Sequence, residues 1–199
     1  MKKLRIERDK FPENPRHDDN LGVIAYKHPN YDVGDVSISD PIDYLLDLYG
    51  IQDKQVDYCG DTFQGLQDEA EKYGYVLLPV YMYDHGDITI RTSSFSCRWD
   101  SGQVGFIYTN LKRVRDITGH KWQRWSEKRR EKVREWLEGE VELFDQYIRG
   151  DMYGFIVEED GEEIDSCWGF YSEDPRTNGM SDHIDDDELI QQYVNENDL

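Results

Sequence analysis

The sequence predicts an α+β fold: a mainly antiparallel sheet, paired helices, and one long amphipathic helix packed on a face of the sheet. Three observations lead to this prediction. Residues 75–108, the most apolar and aromatic part of the chain, contain three strand patterns joined by a turn and a loop. Helical patterns occur in neighbouring pairs instead of alternating singly with strands. Apolar side chains recur every three or four residues from residue 122 to residue 148.

Two strands and a loop are predicted before the first helix. Residues 3–8 alternate polar and apolar side chains, as an edge strand does, and residues 21–26 form a second apolar run. Residues 11–20 between them contain two prolines, two asparagines and two aspartates, which is typical of a loop.

A pair of helices follows. Ser39 or Asp40 is expected to cap the first helix, because a side-chain oxygen at that position accepts hydrogen bonds from unpaired N–H groups. Pro41 suits the first helical position and Gly50 suits the C-terminal end. A second helix, capped by Asp61 or Thr62, is predicted to run through Tyr73 and to end at Gly74.

The central segment is predicted to form three strands. Residues 75–83 have the composition of a buried strand, and Asp84-His85-Gly86-Asp87 is turn chemistry. Residues 88–91 alternate as a return strand with one wet face. A polar loop over residues 93–103 then precedes a third strand over residues 104–108.

The second half is predicted to be helical and then to form a hairpin. A short basic helix over residues 110–118 precedes the long helix over residues 122–148. Strands over residues 152–157 and 162–167 flank Asp160-Gly161, a dipeptide that favours a two-residue hairpin turn. Acidic residues then open a last helical segment over residues 185–194, where they favour the helix dipole.

Charge is distributed unevenly along the chain. The 199 residues include 43 acidic and 23 basic ones, a net charge of −20, and residues 151–199 contain 16 acidic residues and a single basic one. We therefore predict one α+β domain over residues 1–171 and an acidic C-terminal loop and helix over residues 172–199, which the sequence allows to be either ordered or flexible. Such acidity opposes binding to nucleic acid or anionic lipid and favours a basic partner.

Three features favour a cytoplasmic setting. No run approaches the roughly 20 apolar residues of a membrane span, and the N-terminus has no apolar segment of the secretory kind. Cys59, Cys97 and Cys167 are odd in number and form no CxxC pair, which indicates a reducing compartment.

The small-residue loop at 101–105 precedes a strand and lacks a GK[ST] motif, so no phosphate-binding loop and no cofactor are predicted.

One cluster carries the residue types of a nucleophilic site. Cys97 could be a nucleophile and His85 its base, with Asp100 orienting the imidazole. The alternative is that Cys97 is a small buried residue and His85 a turn residue. No cysteine-hydrolase signature surrounds Cys97.

Two other groups of residues have structural alternatives that we prefer. His17, Asp18, Asp19, His28 and Asp32 offer metal-ligand types, but their spacing fits Asx-turns equally well, so no metal site is predicted. The basic run over residues 112–134, with two tryptophans, could contact phosphates. We interpret it as the wet face of an amphipathic helix, because the whole-molecule charge repels nucleic acid.

The acidic C-terminal residues could instead imitate nucleic-acid phosphates. Duplex DNA presents one charge per about 1.7 Å of axis, and spaced carboxylates can present a similar field to a basic protein. The residues expected to bind are Asp182, Asp185, Asp186, Asp187 and Glu188. The structural alternative is a solvated acidic tail.

Four stretches carry a resemblance. YVLLPVYMYDHGDITIRTSSFSCRWDSGQVGFIY (75–108), DNLGVIAYKHPNYDVGD (19–35), EVELFDQYIRGDMYGFIVEE (140–159) and DSCWGFY (165–171) resemble a family of small proteins of bacteriophages and other mobile elements that has no established activity. The resemblance implies a cytoplasmic accessory protein in a bacterial host and transfers no catalytic residue. Phage accessory proteins of this size and acidity often look like inhibitors of host defence.

Two hypotheses follow. The first is a non-enzymatic protein whose acidic surface blocks a basic, nucleic-acid-binding host protein, such as a restriction or CRISPR effector. The second is a small hydrolase-like enzyme that uses His85, Cys97 and Asp100. A virion component is a third reading that the sequence allows, and the oligomeric state is not determined by the sequence.

Overall fold

The computed structural model describes residues 2–51, 62–97 and 99–197, and it confirms an α+β fold rich in antiparallel strands. The strands are β1 (Lys2–Arg8), β2 (Val23–Tyr26), β3 (Val36–Ser37), β4 (Tyr75–Asp84), β5 (Ile88–Arg91), β6 (Ser101–Asn110), β7 (Met152–Glu159) and β8 (Glu162–Tyr171). The α-helices are α1 (Pro41–Tyr49), α2 (Thr62–Asp68), α3 (Leu111–Thr118), α4 (Glu127–Ile148) and α5 (Asp187–Glu196). Short 3-10 helices occur at Pro15–His17, Ala70–Tyr73 and Met180–Asp182.

The chain divides into two compact units. Unit 1 consists of residues 1–15 and 146–199, and unit 2 of residues 16–145. The strands accordingly form two sheets instead of the one expected. The separation of a domain over residues 1–171 from a segment over residues 172–199 stays a prediction about domains, although residues 172–199 fall within unit 1.

Unit 1 is built on a three-stranded antiparallel sheet in the order β1-β7-β8. Asp160 and Gly161 join β7 to β8 with φ angles of 55° and 92°, so the predicted hairpin turn is confirmed. The hydrophobic side of the sheet, including Phe155 and Val157, packs against α5 residues such as Leu189 and Tyr193. This packing gives the C-terminal segment a fixed place in the core of unit 1.

Unit 2 is built on a five-stranded sheet in the order β3-β2-β6-β4-β5, in which only the described pair β2–β3 is parallel. One face, with Ala25 and Phe106, packs against α1 and α2. The long helix α4 lies against this sheet as well, because its Asp145 accepts a hydrogen bond of 2.7 Å from the backbone N–H of Ile90 in β5. Arg130 of α4 also donates to the carbonyl of Tyr75 in β4.

Several local predictions are confirmed and others are corrected. Asp40 caps α1 by accepting from the N–H groups of Ile42 and Asp43, and Gly50 ends the helix with φ 72°. The long helix begins at Glu127, not at residue 122. The preceding residues form a loop that folds back, because the indole of Trp125 donates to the carbonyl of Gly74. The predicted cap Asp61 lies outside the described residues.

Two strand boundaries also differ from the sequence predictions. Strand β6 begins at Ser101 and takes in part of the predicted loop, because its first residues pair with the end of β4. Strand β8 extends to Tyr171, since its pairing with β7 continues past an irregularity at Gly169. Within the described ranges, no helix combines the length and apolar composition that a membrane crossing requires.

Candidate functional site

The charge of the molecule is concentrated in unit 1. This unit contains 19 acidic and 7 basic residues, a net charge of −12, whereas unit 2 contains 24 acidic and 16 basic residues, a net charge of −8. Unit 1 is also the smaller of the two by chain length. Unit 1 therefore has a higher density of negative charge than unit 2, and a surface that attracts a basic partner is expected on unit 1.

Four of the five acidic residues predicted to bind are exposed near the start of α5. Asp182, Asp185, Asp187 and Glu188, here called the helix acids, have exposed side chains, and among the described residues none has a Lys or Arg within ion-pair distance. They are held in place because Ile184, Leu189 and Ile190 between and after them are buried. A rigid helix start therefore presents these carboxylates to solvent.

Asp186, the fifth predicted residue, has a structural role. It is the N-cap of α5, and its carboxylate accepts hydrogen bonds from the backbone N–H groups of Glu188 and Leu189, at 3.1 and 3.4 Å. A cap residue satisfies N–H groups that have no partner within the helix. The prediction that Asp186 contributes to a binding surface is untested, but this carboxylate is already used by the helix.

A second acidic group, which the sequence analysis did not single out, lies on the β7–β8 hairpin. Its exposed members, here called the hairpin acids, are Glu159, Asp160, Glu162, Glu163 and Asp165. The run EEDGEEID around a two-residue turn is the sequence pattern from which this acidic group could have been predicted. The five carboxylates come from only seven consecutive positions. The turn places the ends of β7 and β8 side by side, so carboxylates of both strands share one end of the hairpin.

The hairpin acids lie on a strand with an open edge. In the described sheet β8 pairs with β7 on one side and with no strand on the other. Residues 162–166 are all exposed, and farther along the strand Trp168 keeps 43% of its surface exposed. The Trp168 ring lies directly over Gly154 of β7, where an added Cβ would be 2.2 Å from the ring. The edge therefore combines unpaired backbone groups, carboxylates and an exposed aromatic ring.

Burial and charge perturb one phenol in unit 1. The hydroxyl of Tyr193 donates to a carboxylate oxygen of Glu173 at 3.1 Å. Burial, followed by the negative charge of Glu173, raises the pKa of Tyr193 to about 12. Glu173 also lines an open pocket of about 340 Å³ together with Arg149, Asp151 and Tyr153. Arg149 and Asp151 form an ion pair there at 2.5 Å, so the pocket is polar and Glu173 adds a further negative charge to its lining.

The residues of the alternative catalytic cluster do come together in unit 2. The thiol of Cys97 lies 3.4 Å from Oδ2 of Asp100, and Nδ1 of His85 lies 3.5 Å from the same oxygen. Asp100 thus lies between the thiol and the imidazole. A Cys–His nucleophile needs direct thiol–imidazole contact, with the carboxylate behind the imidazole. The observed order places the Asp100 carboxylate, instead of an imidazole, against the sulfur.

Two of the residues considered as metal ligands, Asp32 and His28, are engaged in hydrogen bonds within the chain. Asp32 accepts a hydrogen bond of 2.7 Å from the hydroxyl of Tyr26, which raises the pKa of that phenol. Nδ1 of His28 accepts from the backbone N–H groups of Asn30 and Tyr31, at 3.3 and 3.2 Å. Across the described ranges, no group of three or more His, Cys, Asp or Glu side chains is arranged to hold a metal ion.

The basic run of unit 2 is largely engaged with its own surroundings. Arg134 pairs with Glu71, Glu127 and Glu131. Two further cations of the run lie over tryptophan rings, Arg129 over Trp122 and Lys132 over Trp136. The run covers α3, the loop before α4 and the start of α4, so the expected single helical face is wrong, although several of its cations are engaged by nearby carboxylates and rings.

Comparison with protein-family models, with curated proteins and with solved structures finds no match to the chain. A functional interpretation therefore depends on the surfaces described above. Of these, the acidic surface of unit 1 is supported by charge, exposure and rigid placement together.

Proposed function

We propose that the chain is a non-enzymatic accessory protein that binds a basic, nucleic-acid-binding protein through the acidic surface of unit 1. The observation that carries this proposal is the pair of exposed acidic groups on ordered elements of a unit with a net charge of −12. The proposed setting is a bacterial cell carrying a phage or mobile element. The proposed targets are host defence proteins of the restriction or CRISPR type, which the bound chain inhibits by occupying their nucleic-acid surface.

Rigid placement of the carboxylates supports this function. A flexible acidic tail loses conformational entropy when it binds, whereas the helix acids, on or just before the packed α5, and the hairpin acids on paired strands are ordered beforehand. Long-range attraction between a carboxylate surface and a basic partner accelerates association and is weakened by salt. Complementary charge also discriminates against acidic proteins, because like charges repel.

The test is capture of a partner from bacterial lysate by the full chain and by a helix-acid variant. The variant carries Asp182→Asn, Asp185→Asn, Asp187→Asn and Glu188→Gln, which changes the net charge from −20 to −16. Asp186 is left unchanged because it caps α5. We expect a nucleic-acid-binding protein to be captured at low salt, to be released at high salt, and to be lost with the variant.

A matched control neutralises four exposed acids of unit 2. Asp47→Asn, Glu135→Gln, Glu138→Gln and Glu142→Gln also change the net charge to −16, without touching unit 1. Equal loss of the partner with both variants would mean that only total charge matters, and it would refute the acidic surface of unit 1 as the site. Capture that is indifferent to salt would refute the electrostatic mechanism.

A truncation before the acidic segment is not a suitable test. Ending the chain at Phe170 would remove Met180, Ile184 and the apolar face of α5 from the core of unit 1. Loss of binding would then report unfolding as well as loss of charge. Surface substitutions avoid this, since the helix acids lie on the exposed side of the segment.

The second candidate function is a small hydrolase-like enzyme in unit 2. The observation that favours it is the approach of both Cys97 and His85 to one oxygen of Asp100. For catalysis the His85 ring, whose side chain is 71% exposed, would have to move so that it contacts the sulfur directly. The rate at which the Cys97 thiol is alkylated, compared with the Cys167 thiol, distinguishes the two functions.

A further inference from the structure

The open edge of β8 offers a specific contact through which a basic partner could be bound. Edge strands present unpaired N–H and C=O groups, to which another extended chain can add as a new strand. Strand β8 spans ten residues at the edge of the sheet of unit 1. Its first five residues are exposed, and on the edge away from β7 they pair with no described strand.

Charge on this edge selects the kind of strand that can add. The pairing of β7 with β8 places Asp165 on the same side as Val157 and places Glu163 on the same side as Glu158. Successive hairpin acids therefore lie on both sides of the sheet near the edge. A strand added to β8 meets carboxylates on both of its own sides, and Lys or Arg residues there are favoured over acidic ones.

Trp168 adds a site for a cation. Its ring is fixed against Gly154, because the two approach so closely that no Cβ could fit between them. The face of the ring that turns away from the sheet remains available, since 43% of the residue is exposed. Arg and Lys side chains are attracted to the face of a tryptophan ring, and Arg stacks on it most readily.

The same features oppose pairing of β8 with a second copy of this chain. Each copy would bring its own hairpin acids to the shared edge, where like charges repel. Two irregularities in the pairing, at Ile164 and Gly169, limit the regular part of β8 to the residues between them. A short, acidic edge is thus protected against self-association, yet it remains open to a basic strand.

We propose that the β8 edge binds an extended Arg- or Lys-rich segment of a partner protein by strand addition, with one cation stacked on Trp168. This inference rests on the proposed function and identifies the contact through which the basic partner is held. Backbone hydrogen bonds to β8 fix the position of the segment, and the hairpin acids select its charge. The helix acids of α5 lie outside this contact and attract the partner at longer range.

The test uses a ten-residue peptide of alternating Arg and Val and measures amide exchange in the full chain by NMR. Strand addition should slow the exchange of alternate backbone N–H groups in residues 165–168, the regular part of β8, because only every second N–H there points towards the open edge. Two control peptides have the same charge. In one of them the N–H groups along one edge of the extended peptide are methylated, and in the other those along the opposite edge are methylated. We expect one methylated peptide to bind and the other to fail, because only one edge of the added strand pairs with β8.

Substitutions in the chain give an independent measure. Glu162→Lys, Glu163→Lys and Asp165→Lys together should weaken binding of the peptide at least about tenfold, because each replaces attraction by repulsion at the edge. Trp168→Leu should weaken it by about threefold, since the cation loses its aromatic contact. Near-ultraviolet circular dichroism and urea unfolding verify that both variants remain folded.

Three results would overturn the inference. The first is equal binding of both methylated peptides, which would mean that charge alone holds the peptide. The second is protection of β8 amides by an acidic peptide of alternating Glu and Val. The third is protection of β8 amides by a second copy of the chain in the absence of peptide.

The outcome separates this inference from the proposed function. If the cellular partner is captured and lost with the helix-acid variant, but the β8 amides stay unprotected, the strand-addition inference fails and the proposed function stands. If the peptide pairs with β8 but no salt-sensitive partner is captured, the proposed function fails.

Discussion

The guanidinium of Arg16 and the carboxylate of Glu140 lie 3.0 Å apart, although 124 positions separate them in the chain. Only 3% of the Arg16 side chain is exposed. Arg16 also binds both carboxylate oxygens of Asp35, and Glu140 accepts the backbone N–H groups of Leu21 and Gly22. This network joins the loop before β2 to the middle of α4 within unit 2.

Substitution of Arg16 should therefore destabilise unit 2 strongly. Burial alone would lower the pKa of Arg16, but hydrogen bonds and negative charge from Asp35 and Glu140 outweigh it and raise the pKa, so the guanidinium stays charged. We expect Arg16→Met to lower the free energy of unfolding by about 3–5 kcal/mol, because it leaves two carboxylates without their cation. Urea unfolding followed by circular dichroism measures this change.

The control for Arg16 is an exposed ion pair. Arg176 binds Asp174 at 2.7 Å on the surface of unit 1 and holds the pKa of that carboxyl below its usual range. Arg176→Met should change stability far less than Arg16→Met, because solvent screens an exposed pair. Equal effects of the two substitutions would contradict the structural role assigned to Arg16.

Stability should depend on Tyr193 at alkaline pH. Because its pKa is raised to about 12 in the folded chain, the fold favours the neutral phenol. This contribution is complete below the ordinary tyrosine pKa of about 10 and is lost as the pH rises through about 12. The difference in unfolding free energy between the unaltered chain and Tyr193→Phe should thus shrink by about 2–3 kcal/mol over this range, since each pKa unit corresponds to about 1.4 kcal/mol.

A second substitution separates the causes of the Tyr193 shift. Glu173→Gln keeps the burial of the phenol but removes the negative charge next to its hydroxyl. Tyr193 should then ionise at lower pH than in the unaltered chain, as followed by the ultraviolet absorbance of tyrosinate. An unchanged titration would mean that burial accounts for the whole shift.

Thiol reactivity decides between the two candidate functions. Asp100 lies against Cys97, so we expect iodoacetamide to modify Cys97 no faster than Cys167 near neutral pH; both thiols are half-buried. Much faster modification of Cys97 in the unaltered chain would instead favour the enzyme.

Two glycines of β6 provide a matched pair for testing the sheet of unit 2. A Cβ at Gly105 would lie 2.1 Å from the carbonyl oxygen of Ala25 in β2, whereas a Cβ at Gly102 would meet no atom within 4 Å. Gly105→Ala should lower the unfolding free energy by about 2–3 kcal/mol, because the two strands must separate. Gly102→Ala should change it little, and a similar loss in both variants would contradict the observed approach of β2 to β6.

Much of the local structure could be predicted from the sequence because its causes are local. Asp40 marks the start of α1 because its side chain accepts hydrogen bonds from the first N–H groups of the helix. Gly50 marks the end because glycine readily adopts a positive φ. The hairpin at Asp160-Gly161 follows from two residues that tolerate positive φ. The long helix was predicted from its apolar period, but its start was placed too early, since the rings of Trp122 and Trp125 pack from a loop.

Composition, periodicity and turn chemistry act over a few residues, and for this reason the α+β class, most element positions and the excess of negative charge near the C-terminus are predictable from the sequence. Three features are visible only in the folded chain: α5 is packed into a core, Asp186 caps this helix, and the hairpin acids lie on an open strand edge. The contact of Cys97 with Asp100 instead of His85 is likewise seen only in the folded chain. These features depend on contacts between distant segments, and such contacts follow from how whole faces of strands and helices bury one another.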